Sequence, residues 1–297
     1  MIDQKYLSLL KVVECGSYTK AAAALSLTQP AVSQHMRGLE NELKVKLFDR
    51  AHGELKLTRE GKTVVKYVRR MAAVQNNLLQ ALDNIKTQIT SLTVGITHTA
   101  ESNAIVEALA SYANTDEAGM TIRIHTDTTE NLYSMLQNYE LDFAIVEGRN
   151  IRSNFNYMLL DTDSLILAVP PTHRLAKKSM ITIADLHREK LILRRPASDT
   201  RSLFEAALET HNMRIDEFNI VMEIDNIATI KDLIRRELGV SVLPKSACMD
   251  ELGKKKLMAL SIENLGMMRE TNIVYTDDFE HVDFLEDLVQ RYNQMRR

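Results

Sequence analysis

The chain has 297 residues, of which 45% are hydrophobic and 26% charged, and its formal net charge is −3. This composition is typical of a soluble globular protein, and the length suffices for two or three compact units. A membrane span is excluded because no run of about 18 apolar residues occurs, and the N-terminus lacks the basic-then-apolar pattern of a signal peptide. We therefore expect a cytoplasmic protein.

The charge is divided unevenly along the chain. Residues 1–90 contain 14 Lys and Arg against 8 Asp and Glu, a net charge of +6, whereas residues 91–297 carry −9. A basic first part suits contact with phosphate, and an acidic remainder stays away from it. The only cysteines, Cys15 and Cys248, lie far apart in sequence. We interpret the two cysteines as small buried side chains rather than as a redox-active pair.

The first predicted helix begins after a cap at Asp3 and ends at Gly16, with Leu7, Leu10 and Val13 facing inward. The next 21 residues predict two short helices around a tight turn.

Hydroxyl caps open both of these helices. Ser17 caps an alanine-rich helix, and Thr28 caps a second helix whose first turn tolerates Pro30. Leu25 and Leu27 are predicted to be buried at the bend. An apolar stripe at helical spacing is expected to face inward in the second helix: Ala31, Val32, Met36 and Leu39.

Polar side chains remain on the outer face of the second helix: Gln29, Ser33, Gln34 and Arg37. Such donors and acceptors can read base edges in a major groove that is wide enough to admit a helix. The pattern predicts a DNA-reading helix-turn-helix. The alternative is an ordinary helix pair with a polar surface.

A short β-hairpin is predicted next, because residues 47–50 and 54–58 flank a turn that contains Gly53. A hairpin after a recognition helix is a wing. Its basic residues Arg50, His52 and Lys56 are predicted to contact backbone phosphate together with Thr28.

The order of these residues resembles that of the LysR-type transcriptional regulators. The resemblance rests on Ala21 and Ala22, on residues 27–33, on Leu39, Glu40 and Leu43, and on residues 47–50 and 57–61. It implies a sequence-specific regulator of transcription with an inducer-binding domain shaped like a periplasmic binding protein. Two positions depart from the family pattern, since Lys44 replaces a usual glycine and Gly38 lies inside the recognition helix.

A long helix is predicted from a cap at Thr58 to about residue 90. Its residues at four-three spacing are Val64, Val68, Met71, Gln75, Leu78, Leu82, Ile85 and Ile89. A helix of about 32 residues extends for about 48 Å, too far to pack on one small domain. We therefore predict a two-stranded coiled coil in which Gln75 sets the register. The alternative is an amphipathic helix lying on its own domain.

Strands and helices alternate from residue 92 onward, which predicts two α/β lobes with a cleft between them. The strands of the first half are predicted at 92–96, 121–125 and 142–146, and its helices at 101–113 and 129–138. The second half is predicted to have strands 190–193, 219–224 and 240–243 and helices 200–210 and 227–236. Residues 165–169 and 273–275 cross between the halves, and a final helix covers 282–296.

The predicted fold is thus a winged helix-turn-helix at 1–60, a coiled-coil linker helix at 61–90, and a two-lobed α/β effector-binding domain at 91–297. Lobe I comprises about 91–161 and 267–297, and lobe II about 162–266.

Ligands of open α/β sheets bind beyond the carboxyl ends of strands, against helix N-termini. The candidate effector-binding residues at such positions are Thr97, His98, Thr99, Ser102, Thr128, Glu147, Ser198, Thr200, Arg201 and Asn226. Each can alternatively be a plain helix cap. We expect a small anion or carboxylate between the two lobes, although Asp199 beside a helix start favours a ligand with a cationic group.

An enzyme and a transport-type solute receptor are the alternative functions. The eight histidines form no close ligand pair, and CxxC, HExxH, GxSxG and phosphate-loop motifs are absent from the sequence. We predict no catalysis, metal or cofactor. The helix-turn-helix argues against a solute receptor. The partners that the resemblance implies are double-stranded promoter DNA, a small-molecule effector and further copies of the chain in a homodimer or homotetramer. RNA polymerase is a further candidate partner, and no membrane partner is expected.

Overall fold

The computed structural model describes residues 1–51, 54–87, 90–102, 104–114, 119–148, 152–196 and 198–295. Two units make up the chain. The first holds Met1–Ile89 with Gln137–Glu140, and the second holds Thr90–Leu136 with Leu141–Arg297. Within the described residues, no helix is long and apolar enough to cross a membrane.

The predicted caps open the helices of the first unit. These helices are α1 (Gln4–Cys15), α2 (Tyr18–Ala24) and α3 (Gln29–Leu43). The side chains of Asp3, Ser17 and Thr28 each accept a hydrogen bond from a backbone N–H in the first turn, which confirms all three caps. Gly16 ends α1 at φ 60°, a left-handed conformation that glycine adopts without strain.

The inward face of α1 differs from the prediction. Leu9 and Val12 are fully buried, whereas Leu7 is 36% exposed. Leu10 and Val13 only border the core. The correction follows from the helical period, because residues 8, 9 and 12 share the face that α2 and α3 cover. Leu25 and Leu27 are half-buried rather than buried. Of the predicted stripe on α3, Val32, Met36 and Leu39 are buried, and Ala31 is half-buried.

Lys44 ends α3 at a position where the LysR-type regulators that the sequence resembles usually have glycine. Lys44 adopts φ 55° and ψ 36°, and its N–H donates to the Glu40 carbonyl. A side chain in this left-handed conformation costs about 1 kcal/mol, so the helix ends as a glycine would end it but with some strain. By contrast, a Cβ on Gly38 would meet only Lys5 Cδ at 3.6 Å, an ordinary contact.

The predicted hairpin is present as strands β1 (Phe48–Ala51) and β2 (Glu54–Leu57), which pair antiparallel with Phe48 opposite Leu57. Helix α4 (Arg59–Thr87) follows, and the Thr58 hydroxyl caps it by accepting the Gly61 N–H at 2.8 Å. The sequence predicts that this helix extends to about residue 90. In the structure it is described as far as Thr87, and Thr90 already belongs to a strand.

One face of α4 carries exposed apolar side chains. They are Tyr67, Met71, Val74, Leu78, Leu82 and Ile85, which are 48–76% exposed. Their spacing of three and four residues places them on one side of a helix about 43 Å long. We call these six residues the α4 ridge. Four of them belong to the predicted seam.

Three other members of the predicted seam lie elsewhere. Val64 is half-buried and Val68 is buried, and both pack in the core of the first unit. Gln75 accepts a hydrogen bond from the Ile2 N–H of the same chain. Gln75 thus has a hydrogen-bond partner within its own chain, and its role in setting the register of a coiled coil stays a prediction. Ile89 lies outside the described residues.

The second unit begins with alternating strands and helices. In chain order they are β3 (Thr90–Thr97), α5 (Ile105–Ala113), β4 (Met120–Asp127), α6 (Thr129–Gln137), β5 (Phe143–Glu147) and β6 (Asn156–Val169). The helix that was predicted from residue 101 is split, because a 3-10 turn at Ala100–Ser102 precedes α5.

The remaining elements include several that were not predicted. They are β7 (Met180–Ile181), α7 (Ile183–Leu186), β8 (Leu191–Leu193), α8 (Asp199–Glu209), β9 (Ile220–Glu223), α9 (Ile227–Arg235), β10 (Ser241–Pro244), α10 (Met249–Gly253), β11 (Met258–Ile262), β12 (Met268–Tyr275) and α11 (Val282–Met295). The sequence pattern missed β7, α7, α10 and β11, all of which are short.

Two long strands run through both halves of this unit. Parallel β4, β3 and β5 continue into antiparallel β12, and β12 pairs with β6. Further along, β6 pairs with β10 and β11. The β6–β12 register shifts by one residue between Thr271 and Asn272. Separate apolar cores form on either side, one around Phe143 and Leu285 and the other around Phe204 and Leu208. The predicted two-lobed α/β architecture is confirmed, with β6 and β12 as the crossing strands.

Candidate functional site

The outer face of α3 is polar and accessible. Gln34 and Arg37 are exposed, as are Gln29 and Pro30, while Ser33 is half-buried. The Gln29 Nε2 donates to Ser33 Oγ at 2.8 Å, so these two side chains form one polar unit. His35 turns the other way, and its Nδ1 lies 2.8 Å from the hydroxyl of buried Ser8. The helix thus separates an apolar inner face from an outer face of hydrogen-bonding groups.

The predicted phosphate contacts surround this helix. Thr28 is exposed and accepts the Ala31 N–H at 3.3 Å. Lys56 is exposed on β2, opposite Asp49 of β1. The backbone of Arg50 pairs with Leu55, whereas its side chain and the whole of His52 lie outside the described part of the chain.

A buried polar cluster lies between the two lobes of the second unit. In lobe I, the Thr97 hydroxyl donates to Glu147 Oε2 at 2.5 Å and accepts the Ala100 N–H at 3.1 Å. Thr97, Thr99 and Glu147 are each at most 5% exposed. Thr97 ends β3, Thr99 follows it and Glu147 ends β5, so the carboxyl ends of parallel strands bring them together.

Lobe II and the crossing strands complete the cluster with two arginines. Arg194, just after β8, donates from Nη1 to Thr99 Oγ1 across the lobes at 3.3 Å. Arg269 of β12 donates from Nη1 to Thr200 Oγ1 at 3.4 Å, and its Nη2 lies 3.5 Å from Asp163 Oδ2. Both arginines are buried. We call Thr97, Thr99, Glu147, Arg194, Thr200 and Arg269 the interlobe cluster.

A further hydrogen bond joins the lobes beside this cluster. The Thr129 hydroxyl at the start of α6 donates to Asp199 Oδ2 at the start of α8, at 2.6 Å. Asp199 therefore has a neutral hydrogen-bond partner in the opposite lobe.

The other predicted effector residues lie around the cluster rather than in it. Thr128, Ser198 and Asn226 each accept a backbone N–H at a helix start and are caps. His98 is exposed. Arg201 is buried but pairs with Glu205 and Glu223 of its own lobe. The Ser102 side chain lies outside the described residues.

The candidate residues predicted from the sequence do not include Arg194 and Arg269 of the interlobe cluster. Arg194 could have been found, because it directly follows a predicted strand. Arg269 had no such signal, because the pattern placed the start of its strand at residue 273.

Burial sets the electrostatics of the cluster. It raises the pKa of Glu147, against the opposing effects of the Arg269 charge and the Thr97 hydrogen bond. It also lowers the pKa of Arg194, although the carboxylates of Asp225 and Glu147 oppose this. Each charged group is therefore held in a poorly hydrated setting where its neighbours matter strongly.

Cys248 lacks the surroundings of a redox sensor. Burial raises the pKa of Cys248 to about 12, so the reactive thiolate is scarce at neutral pH. Cys15 is half-buried against the core of the first unit.

Two family models match the chain. One, described as the LysR substrate binding domain, matches residues 87–295, and the other, described as a bacterial regulatory helix-turn-helix protein of the lysR family, matches residues 5–62. The chain belongs to the LysR family of transcriptional regulators. The predicted family and its general function, DNA binding under the control of a small-molecule effector, are confirmed. Members of this family are regulators, not enzymes.

Relatives of this LysR-type regulator agree with the assignment. A probable RuBisCO transcriptional regulator of Cyanidium caldarium is 27% identical over 263 residues, which are 87% of this chain and 83% of that protein. Among solved structures, full-length CbnR complexed with its target DNA is similar at a TM-score of 0.69 and 16% identity, covering 99% of both chains. The Synechocystis PCC6803 CcmR regulatory domain in complex with 2-PG is similar at a TM-score of 0.59 and 23% identity, covering 68% of this chain and 96% of that one.

The buried Glu147 predicts a pH dependence. Between the ordinary value of 4.5 and its raised pKa, the folded regulator holds a proton that the unfolded chain has released. Stability should therefore fall as the pH rises through this window. Glu147→Gln is expected to remove the loss of stability that Glu147 causes as the pH rises, because glutamine can accept the Thr97 hydrogen bond without a buried charge. Thermal unfolding of the full chain from about pH 5 to about pH 8 measures the effect.

The control is Glu107→Gln, which removes an exposed carboxylate of α5 and should leave the profile of the parent unchanged. Parallel profiles for the parent and Glu147→Gln would contradict the prediction.

Proposed function

We propose that this LysR-type regulator places α3 in the major groove of promoter DNA, with Gln29, Ser33, Gln34 and Arg37 reading bases. Thr28, Arg50, His52 and Lys56 contact phosphate of the flanking backbone, and Pro30 in the first turn of α3 is the remaining DNA-binding residue. The observation that carries the proposal is the outward polar face of α3 on a helix whose inner side is fully buried. A helix of this kind, held rigidly by its apolar face, presents its donors and acceptors in fixed positions. Binding of chromosomal DNA also implies a cytoplasmic protein.

We propose further that two copies associate through the α4 ridge. A row of six large apolar side chains on one helix face is typical of a surface that a partner covers, and a second copy of the same helix offers the same spacing. The resulting dimer binds two half-sites on an imperfect palindrome. A tetramer arises if the effector-binding domains also associate.

The effector of this regulator is proposed to bind between the lobes, at the interlobe cluster. Support comes from the position of the cluster at the carboxyl ends of β3 and β5 and from its contacts to both lobes. The CcmR regulatory domain, which shares this fold, was solved with a small ligand, 2-PG. The effector controls transcription through its differential affinity for two arrangements of the regulator.

Arg37→Ala tests base reading by α3. If Arg37 contacts a guanine, specific affinity should fall by about 1–3 kcal/mol, and affinity for random DNA should fall much less. Fluorescence anisotropy on the DNA upstream of the coding region and on a shuffled duplex, at two salt concentrations, measures both affinities.

The matched control is Arg69→Ala, which removes an exposed arginine of α4 outside the recognition face. An unchanged ratio of specific to random affinity in Arg37→Ala would rule out the role of Arg37. Equal affinity of the parent for both duplexes would contradict the proposed function itself.

A further inference from the structure

The interlobe cluster contains buried hydrogen-bond donors without acceptors. Among the described residues, four buried side-chain atoms lack a hydrogen-bond partner, and three are guanidinium nitrogens: Arg194 Nε, Arg201 Nη1 and Arg269 Nε. The fourth is Ser241 Oγ. The three arginines are 3%, 4% and 6% exposed. Buried N–H groups are rarely left unpaired, so such a set needs an explanation.

Two of these donors belong to one place. The charge of Arg269 acts on Arg194, and the charge of Glu147 acts on both arginines. Each arginine uses another nitrogen for a threonine hydroxyl, Thr99 for Arg194 and Thr200 for Arg269. Arg201 differs, because it has two carboxylate partners in its own lobe, Glu205 and Glu223, whereas Arg269 has one, Asp163. Arg194 and Arg269 therefore form a pair of like charges, and the Nε–H of each has no acceptor among the described residues.

The neighbouring carboxylates are already engaged by other groups. Glu147 accepts the Thr97 hydroxyl, Asp199 accepts the Thr129 hydroxyl, and Asp163 accepts both the N–H and the hydroxyl of Ser246. The buried cluster atoms without a partner are thus both donors, the Nε–H groups of Arg194 and Arg269. A ligand that satisfies them has to bring acceptor oxygens.

Guanidinium groups are well matched to carboxylate and phosphate oxygens, with which they form short, charge-assisted hydrogen bonds. We propose that Arg194 and Arg269 together bind the effector, and that the effector is a small molecule with two negative charges on phosphate or carboxylate groups. This inference rests on the proposed effector site and adds the chemical class of its ligand. Arg194 belongs to lobe II and Arg269 to a crossing strand, so one dianion between them contacts both parts of the domain.

Isothermal titration of the full-length chain with inorganic phosphate and with malonate at about pH 8 tests the proposal, with acetate at equal ionic strength as the monoanion. Both dianions should bind, and acetate should bind at least about tenfold more weakly. Arg194→Met and Arg269→Met, which keep the side-chain length, should each raise the Kd of the dianions at least about tenfold. Asp199→Asn, which removes a negative charge beside the site, should tighten binding severalfold.

The matched control is Arg195→Met. Arg195 is the next residue, its side chain is 65% exposed, and it pairs with Asp225 at 2.9 Å. This variant should bind dianions as the parent does. The proposal is overturned if neither dianion binds the parent, or if Arg195→Met weakens binding as much as Arg194→Met. If an arginine variant does not fold, unchanged or weaker dianion binding by Asp199→Asn overturns it.

DNA binding measured on the same samples distinguishes a failure of this inference from a failure of the proposed DNA-binding function. A parent that binds its upstream DNA but no dianion contradicts this inference and leaves the proposed DNA-binding function. A parent that binds dianions but shows no specific DNA binding contradicts the proposed DNA-binding function alone.

Discussion

Leu78→Glu is expected to separate the two copies that associate through the α4 ridge. Leu78 is 59% exposed near the middle of the ridge, so in the dimer two new carboxylates would face each other in an apolar seam. The mass of the assembly in solution should halve. Affinity for the palindromic DNA should fall by about 10²–10⁴-fold, because the second head no longer benefits from tethering to the first. Light scattering after size-exclusion chromatography and fluorescence anisotropy measure the two effects.

The control for this variant is Asn76→Glu, which adds the same charge at an exposed position on the other side of α4. Its mass and DNA affinity should match those of the parent. A Leu78→Glu protein that keeps both the mass and the DNA affinity of the parent would show that the ridge is not the dimer contact.

Gly61→Ala should strongly destabilise the DNA-binding unit, although it adds only one methyl group. A Cβ at this position would lie 2.1 Å from the Leu47 carbonyl oxygen, which also accepts the Thr58 N–H at 3.0 Å. The backbone at the start of the wing would have to move, at a cost of about 3 kcal/mol. Hydrogen exchange of the α1–α3 amides in the intact chain should speed up by about 10²-fold, the equivalent of that free energy.

Gly38→Ala is expected to have the opposite effect on the stability of the same unit. Its Cβ would meet only Lys5 Cδ at 3.6 Å, so alanine should stabilise α3 by about 1 kcal/mol and slow exchange. If the amides of both glycine variants exchanged at the rates of the parent, the close approach at Gly61 would make no difference to stability.

Local signals explain why the first unit was largely predictable. Asp3, Ser17, Thr28 and Thr58 cap helices through contacts that span two or three residues, so the pattern contains all of the information needed. The inner stripe of α3 follows from helical periodicity in the same way. The seam of α4 was assigned less well, because tertiary packing decides that Val68 enters the core and that Gln75 meets Ile2.

The interlobe cluster was predictable only in part. Thr97 and Glu147 lie at strand ends, where sequence reasoning places ligand-binding residues. Arg269 reaches the cluster because β12 begins at Met268 and pairs with β6, a contact between residues about 100 positions apart in the chain. No local pattern encodes such a pairing. The same holds for the Thr129–Asp199 hydrogen bond, which depends on how the lobes meet.

The register shift in the β6–β12 pair has a mechanical consequence. Both strands are shared by the two lobes, so any rotation of one lobe against the other has to bend this ribbon. An irregular ladder resists bending less than a regular one, and the shift lies at Thr271 and Asn272. Thr271 is the register partner of Glu147 on β5. The irregular point of this ribbon therefore adjoins Glu147 of the interlobe cluster, so an effector bound there as proposed would lie next to the place where the ribbon bends most easily.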